Sequence, residues 1–426
     1  MPSQSHALRY GLPGFALAFA ALPLYLLTPS LYAEQFGLHL AAVGLLLMAT
    51  RLVDAFADPI IGRRIDRSSR HVWIWMASGV AVMAISLALL VNPPISWLQH
   101  QSNSQALGLL WMGVAALFVS LGNSVATLAH QSWAVSWTAD PDAQRKLVAS
   151  REIWSLVGVI TAAVIAAQRS GPALAIVLIS VGALGIWLTR GLQSFGAKRQ
   201  DSVQQESDSW RVLLGDIQFQ KLLGSFAINA LANAIPATLF LFFVQDRLKL
   251  SSETAGLLLA IYFVAAAASV RLWTSIMGRI GARRTWQIAM GIAIVSFVWA
   301  LTLKQGDLIP FGIICLATGF ALGAELVCPP ILLGALIDRA GQRGRSEASY
   351  FGIWNLIAKL ALAAAAGLVL PALSGLGYQP GAASGSDELQ ALQWVYAGLP
   401  CMLKLIALVM LHPVQDVLSV SERTPS

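Results

Sequence analysis

Residues 51–67 read RLVDAFADPIIGRRIDR and set Arg51, Asp54 and Asp58 inside an otherwise oily stretch. The run around them, 40–62, is long enough to cross a bilayer, whose ~30 Å of hydrocarbon needs about 20 apolar residues. A charge near the middle of such a helix costs about 2.5–3.5 kcal/mol on insertion scales, so charges there serve a purpose. At 3.6 residues per turn the three fall within about 60° of one another and form one stripe. Counting back from Gly62, Asp54 lies about 12 Å inside the end of the segment and Asp58 about 6 Å. Two carboxylates one turn apart repel in a low dielectric, which drives the pair to bind a cation or a proton. Arg51 balances the site when it is empty. An Arg51–Asp54 ion pair that merely locks the segment to a neighbour is the structural alternative.

The rest of the chain is built for the same solvent. Of 426 residues, 57% are hydrophobic and 12% charged, whereas soluble domains carry roughly 25% charged residues. Apolar runs recur at 11–33, 40–62, 72–92, 106–137, 152–169, 172–190, 217–245, 254–277, 285–303, 308–335, 346–372 and 390–411. They are too long and too uniformly apolar for barrel strands, which leaves helices. The predicted fold class is an all-α polytopic membrane protein with 12 transmembrane helices in two six-helix halves. The halves are 1–191 and 217–426, and the polar stretch 192–216 is a cytoplasmic linker. Pro23 and Pro236 interrupt the helices that open each half, and Gly62 and Gly278 end the second helix of each. Paired interruptions point to a transporter site between repeats.

The net charge of +7 is not a nucleic-acid signature, because most of the 28 Lys and Arg collect at the termini and in the even-numbered connections. Among them are Arg63, Arg64, Arg67 and Arg70. Cytoplasmic loops collect these residues, so both termini are expected in the cytoplasm. Cys315, Cys328 and Cys401 sit in apolar segments without metal-ligand spacing, and no disulfide framework is expected.

Several other polar residues lie within segments. In segment 4, Asn123, His130 and Trp137 recur every seven residues, with Trp133 nearby, so aromatic faces and a titratable ring can meet a solute. A tryptophan-packed helix with a core histidine is the alternative. Ser124 and Thr127 offer hydroxyls on the same segment. Lys359 lies mid-segment with Asn355 one turn before it, and needs a carboxylate or an anionic ligand; Asp54, Asp58 and Glu325 are the candidates. Lys404 is expected to snorkel. In the tail GRRIDRSSR, residues 62–70, Gly62 permits close helix approach, and Asp66 and Arg67 sit in a tight basic loop as a conformational latch.

The order of Arg51, Asp54, Asp58, Pro59 and Gly62 resembles the helix-2 signature of the glycoside–pentoside–hexuronide:cation symporters, the melibiose permease family of the major facilitator superfamily. SWTADPDAQRKLVASREIW resembles that family's helix 4–5 connection, and ALIDRAGQRGRSEASYFGIWNLIAKLALAAA its helices 10–11. The resemblance implies the major facilitator fold and gives Asp54 and Asp58 the coupling cation. It gives Arg151 and Lys359 places near the solute. A monomer in a bacterial inner membrane, moving a small organic solute with Na+ or H+ and no cofactor, is the expected form. Sugar-transporting members carry acidic residues in helices 1 and 4. Here helix 1 has no acid before Glu34, and NSVATLAHQSWAVSW has none. An amphipathic or lysolipid-like solute is therefore the alternative, as is an uncoupled uniporter or receptor. The expected cation-binding set is Asp54, Asp58, Ser124 and Thr127. The expected solute set is His130, Trp133, Trp137, Arg151, Asn355 and Lys359. The expected gating network is Arg51, Gly62, Asp66, Arg67 and Glu325. No P-loop, H-E-x-x-H or G-x-S-x-G occurs, which argues against ATP hydrolysis and against an enzyme.

Overall fold

A computed structural model describes residues 3–68, 71–95, 98, 103–138, 140–168, 170–194, 210–378 and 385–414. Arg70, Arg169 and most of the predicted linker, residues 195–209, lie outside the described residues. The elements are α1 (Gln4–Gly11), α2 (Pro13–Leu26), α3 (Thr28–Phe36), α4 (Leu40–Arg67), α5 (Val72–Val91), α6 (Ser104–Trp137), α7 (Pro141–Ala167) and α8 (Gly171–Arg190). Then come α9 (Trp210–Gly215), α10 (Ile217–Phe242), α11 (Ser252–Ile280), α12 (Ala282–Phe297), α13 (Leu308–Arg339), α14 (Glu347–Ala364), α15 (Leu370–Gly375), α16 (Ser386–Gln393) and α17 (Leu399–Leu411). A π turn at Phe243–Arg247 extends the end of α10, and π turns at Ala365–Val369 and Trp394–Gly398 join α14 to α15 and α16 to α17.

Ten helical spans among the described residues are long and apolar enough to cross a bilayer. The other two predicted segments depart from that pattern for visible reasons. Segment 1 is broken into α1, α2 and α3, because Pro13 and Pro29 donate no backbone hydrogen bond. Segment 2, α4, carries the charged stripe and the basic end.

Several predicted boundaries are corrected. Segment 5 does not start at 152: α7 starts at Pro141, with Asp140 accepting from the Asp142 N–H at 3.1 Å. A proline at the first helical position and an acidic cap are a strong start signal, and the charged first turns that follow had masked it. Arg145 and Arg151 therefore stand on a helix rather than in a connection. Segment 2 does not end at Gly62 but continues through Arg67. Segment 8 likewise passes Gly278 and stops at Gly281, whose φ of 88° no helix accommodates.

The chain divides into two compact units. One comprises Met1–Glu206 with Ile337–Leu356, the other Ser207–Leu336 with Ile357–Ser426. The first has a core around Phe15, Phe19, Tyr32, Met83, Leu87 and Leu178. Within it α5 and α6 cross at Gly79 and Gly122. A Cβ on Gly79 would stand 2.6 Å from the Ala126 nitrogen, and one on Gly122 would stand 2.7 Å from the Met83 nitrogen. Lipid gives helices no hydrophobic drive to associate, so small residues that let backbones touch supply the packing. The second unit has its core around Phe243, Phe311, Leu258, Leu303 and Tyr396, with the Phe243 and Tyr396 rings stacked at 4.0 Å. Leu45, Met48, Val53, Phe56 and Ile60 on α4 are exposed, as are Leu405, Ile406 and Val409 on α17, which is the outward apolar face lipid requires.

Candidate functional site

On α4, the exposed apolar row and the charged stripe lie on different faces. Asp54 is 5% exposed and Asp58 is 0% exposed, while Arg51 is half-buried. The Ser124 hydroxyl of α6 donates to Asp54 Oδ1 at 2.6 Å, a short charge-assisted bond that joins the two helices at the stripe. Thr127 follows Ser124 by three residues on α6 and is half-buried. Carboxylate and hydroxyl oxygens withdrawn from solvent are the ligands that hard cations take, and a buried carboxylate is equally a proton acceptor.

One helical turn further along, α4 meets the start of α14 inside the same unit. A Cβ on Gly62 would stand 2.2 Å from the Ala348 carbonyl oxygen, and one on Gly352 would stand 2.7 Å from the Asp58 carbonyl oxygen. The two glycines thus let the helices touch beside the carboxylates. Asp66 closes the contact. Its Oδ1 accepts from the Ala348 N–H at 3.1 Å, and its Oδ2 accepts from the Ser349 N–H at 2.7 Å and the Ser349 hydroxyl at 2.6 Å. The first N–H groups of a helix have no partner within it, so Asp66 caps α14 from another helix and meets its positive end. This corrects the placement of Asp66 and Arg67 in a loop: both belong to the last turn of α4, with Asp66 half-buried and Arg67 exposed. Asp66→Ala leaves two amide donors uncapped and is expected to cost about 1–2 kcal/mol, read as a lower melting temperature. Asp66→Asn keeps an acceptor and is expected to cost less.

The aromatic face of α6 forms a knot with α1. His130 Nε2 lies 2.7 Å from the Tyr10 carbonyl, which can only accept, so Nε2 carries the proton. The Tyr10 hydroxyl donates back to the His130 carbonyl, and the two rings lie 4.4 Å apart. His130 Nδ1 is buried with no hydrogen-bond partner among the described residues. Trp133 is 0% exposed, edge-on to Tyr10 and His71 and stacked on Trp137 at 5.6 Å. In this conformation Trp133 presents no face to a solute, and half-buried Trp137 is the more open ring.

Arg151 is buried and pairs with its neighbour Glu152, Nε to Oε1 at 2.9 Å. Asn355 donates to Gln131 Oε1 at 3.0 Å, tying α14 to α6 within the first unit. Lys359, one turn beyond Asn355 on α14, is half-buried and falls in the second unit.

Glu325 has a partner that the sequence does not suggest. In the second unit it pairs with Lys404, Nζ to Oε1 at 2.6 Å, with Lys404 7% exposed and Glu325 9%. Lys404 therefore does not snorkel, because a buried carboxylate and two amide oxygens satisfy it where it lies. Sequence reasoning passes over Tyr10, Gln131, Glu152, Asn229 and Asn233. Only the last two leave a signal, amides spaced four apart in the apolar run INALANAIPATLF, residues 228–240.

The chain matches, over residues 9–414, a family described as MFS/sugar transport protein. It is 24% identical to the isoprimeverose transporter of Lactiplantibacillus pentosus, over 93% of this chain and 85% of the relative. It is 23% identical to the sodium-dependent lysophosphatidylcholine symporter 1 of Mus musculus, over 96% and 84%. Among solved structures, a bacterial homologue of the iron transporter ferroportin in an outward-facing state superposes with a TM-score of 0.73 at 14% identity, over 96% of this chain and 98% of that one. At that identity the likeness establishes the major facilitator fold.

Proposed function

The chain belongs to the MFS/sugar transport protein family, a family of membrane transporters and not of enzymes, and on that footing we propose that it couples Na+ or H+ movement to transport of a small organic solute by alternating access. The observation that carries this reading is the buried carboxylate stripe of α4, with Asp54 bonded to Ser124 of α6 at 2.6 Å and Asp58 fully buried one turn away. In this reading Asp54, Asp58, Ser124 and Thr127 hold the exchangeable cation. In the first unit Trp137, Arg151, Asn355 and Gln131 frame the solute, while His130, 0% exposed like Trp133, holds α6 to α1. Lys359 is the candidate of the second unit, and Gly62 with Asp66 latches α14 between transport states. Arg51 offsets the carboxylates when no cation is bound. The relatives' names carry two solutes, isoprimeverose and lysophosphatidylcholine. Helix 1 and segment 4 lack the carboxylates that grip sugar hydroxyls, which supports the amphipathic class as the second reading. A monomer in a bacterial inner membrane, with both termini cytoplasmic, completes the proposal.

A solute that binds the folded state raises the melting temperature by mass action. Isoprimeverose and lysophosphatidylcholine, each with and without Na+ and at two pH values, form the first panel. The expected result is a shift with one of them that grows with Na+ or with acid. A shift of equal size in every ionic condition would instead indicate an uncoupled carrier.

A further inference from the structure

The ammonium of Lys404 sits in a cage of three oxygens: Glu325 Oε1 at 2.6 Å, Asn233 Oδ1 at 2.9 Å and Asn229 Oδ1 at 3.0 Å. Three N–H donors meet three acceptors, so the ammonium is fully satisfied without water. A carboxylate that needed only a counter-ion would be served by the lysine alone. Here the two asparagines are also turned so that their amide nitrogens reach Glu325 Oε2, at 2.8 Å from Asn233 and 3.1 Å from Asn229. Asn229 and Asn233, one turn apart on α10, and Glu325 on α13 therefore hold one another directly. Lys404 arrives from α17 and takes part in none of those bonds. Pro329 and Pro330 lie in the next turn of α13, and having no N–H they leave the Glu325 and Leu326 carbonyls without the usual helical donor. The cage is thus organised by groups other than the cation it holds.

We propose that Glu325, Asn229 and Asn233 form a monovalent-cation site in the second unit, occupied by the protein's own Lys404 ammonium, which accepts a free primary ammonium ion once that side chain is shortened. If the cation-coupled reading above holds, on which this consequence rests, the second half carries its cation covalently and only the first half exchanges one.

Lys404→Ala removes Cγ, Cδ, Cε and Nζ, the atoms of n-propylammonium. The test is the melting temperature of the purified variant in n-propylammonium, ammonium or tetramethylammonium chloride at equal ionic strength. The expected result is a saturable rise with n-propylammonium that recovers most of the loss, a smaller one with ammonium, and none with tetramethylammonium, which has no N–H to donate. Wild type and Lys404→Ala/Glu325→Gln should show no such response. An equal response to n-propyl- and tetramethylammonium, no response at all, or a response retained in the double variant would overturn the proposal. Where Lys404→Ala cannot be purified in plain buffer, the yield of folded protein in n-propylammonium against tetramethylammonium decides the same question, and no recovery in either counts against the site. None of these readouts requires transport, so failure here leaves the role of Asp54 and Asp58 untouched, and failure there leaves this one.

Discussion

Asp54→Asn and Asp58→Asn are each expected to abolish cation-driven uptake while the protein still folds and inserts. The amide preserves the volume and removes the charge. Asp54 then retains an oxygen to accept from Ser124, whose 2.6 Å bond holds α4 to α6. What is lost is the charge that draws a cation out of water. A loss of about 3 kcal/mol in cation affinity corresponds to more than about 100-fold, enough to uncouple transport at working concentrations. Ser124→Ala is expected to weaken the cation response without abolishing it, because it removes a neutral partner and leaves both carboxylates. Uptake measured in liposomes against an imposed Na+ or pH gradient, beside solute exchange with no gradient, separates loss of coupling from loss of folding. Unchanged gradient-driven uptake in both variants would remove the carboxylates from the mechanism.

The second large effect is in stability. Lys404→Met alone leaves Glu325 as an unpaired buried carboxylate, and Glu325→Leu alone leaves a buried ammonium. Each is expected to cost about 3–5 kcal/mol, whereas the double variant, apolar at both positions, should cost far less than the sum. Asn229 and Asn233 set a limit on that recovery, since their amides lose charged partners in the double variant. Unfolding curves of the two singles and the double give the coupling directly. Additive losses would mean that the pair contributes little as a pair.

These two centres differ sharply in how visible they are in the sequence. Arg51, Asp54 and Asp58 follow one another at spacings of three and four residues in one apolar run, so helical geometry alone puts them on one stripe. The ten long spans are visible for a similar reason, since each must be apolar along its own length. Lys404 has partners 79, 171 and 175 residues away, and no local pattern tells a snorkelling lysine from a caged one. The end of α4 shows a third case. Gly62 reads locally both as a helix stop and as a point of close helix approach, and only the second holds, because a partner backbone lies where its Cβ would be. Asp66, within the basic tail, is helical because its acceptors cap α14 rather than its own chain. The start of α7 is legible in Asp140 and Pro141, and the charged turns after it draw the expected boundary too late.

Cation binding by the α4 carboxylates can be measured without any solute. The melting temperature of the purified protein, followed against Na+ concentration at alkaline pH and against pH without Na+, reports whether the α4 carboxylates bind a cation. A saturable rise with Na+ or with acidification is expected in wild type and absent from both Asp54→Asn and Asp58→Asn. A wild type that responds to neither ion, or a response that persists in both variants, would contradict such binding.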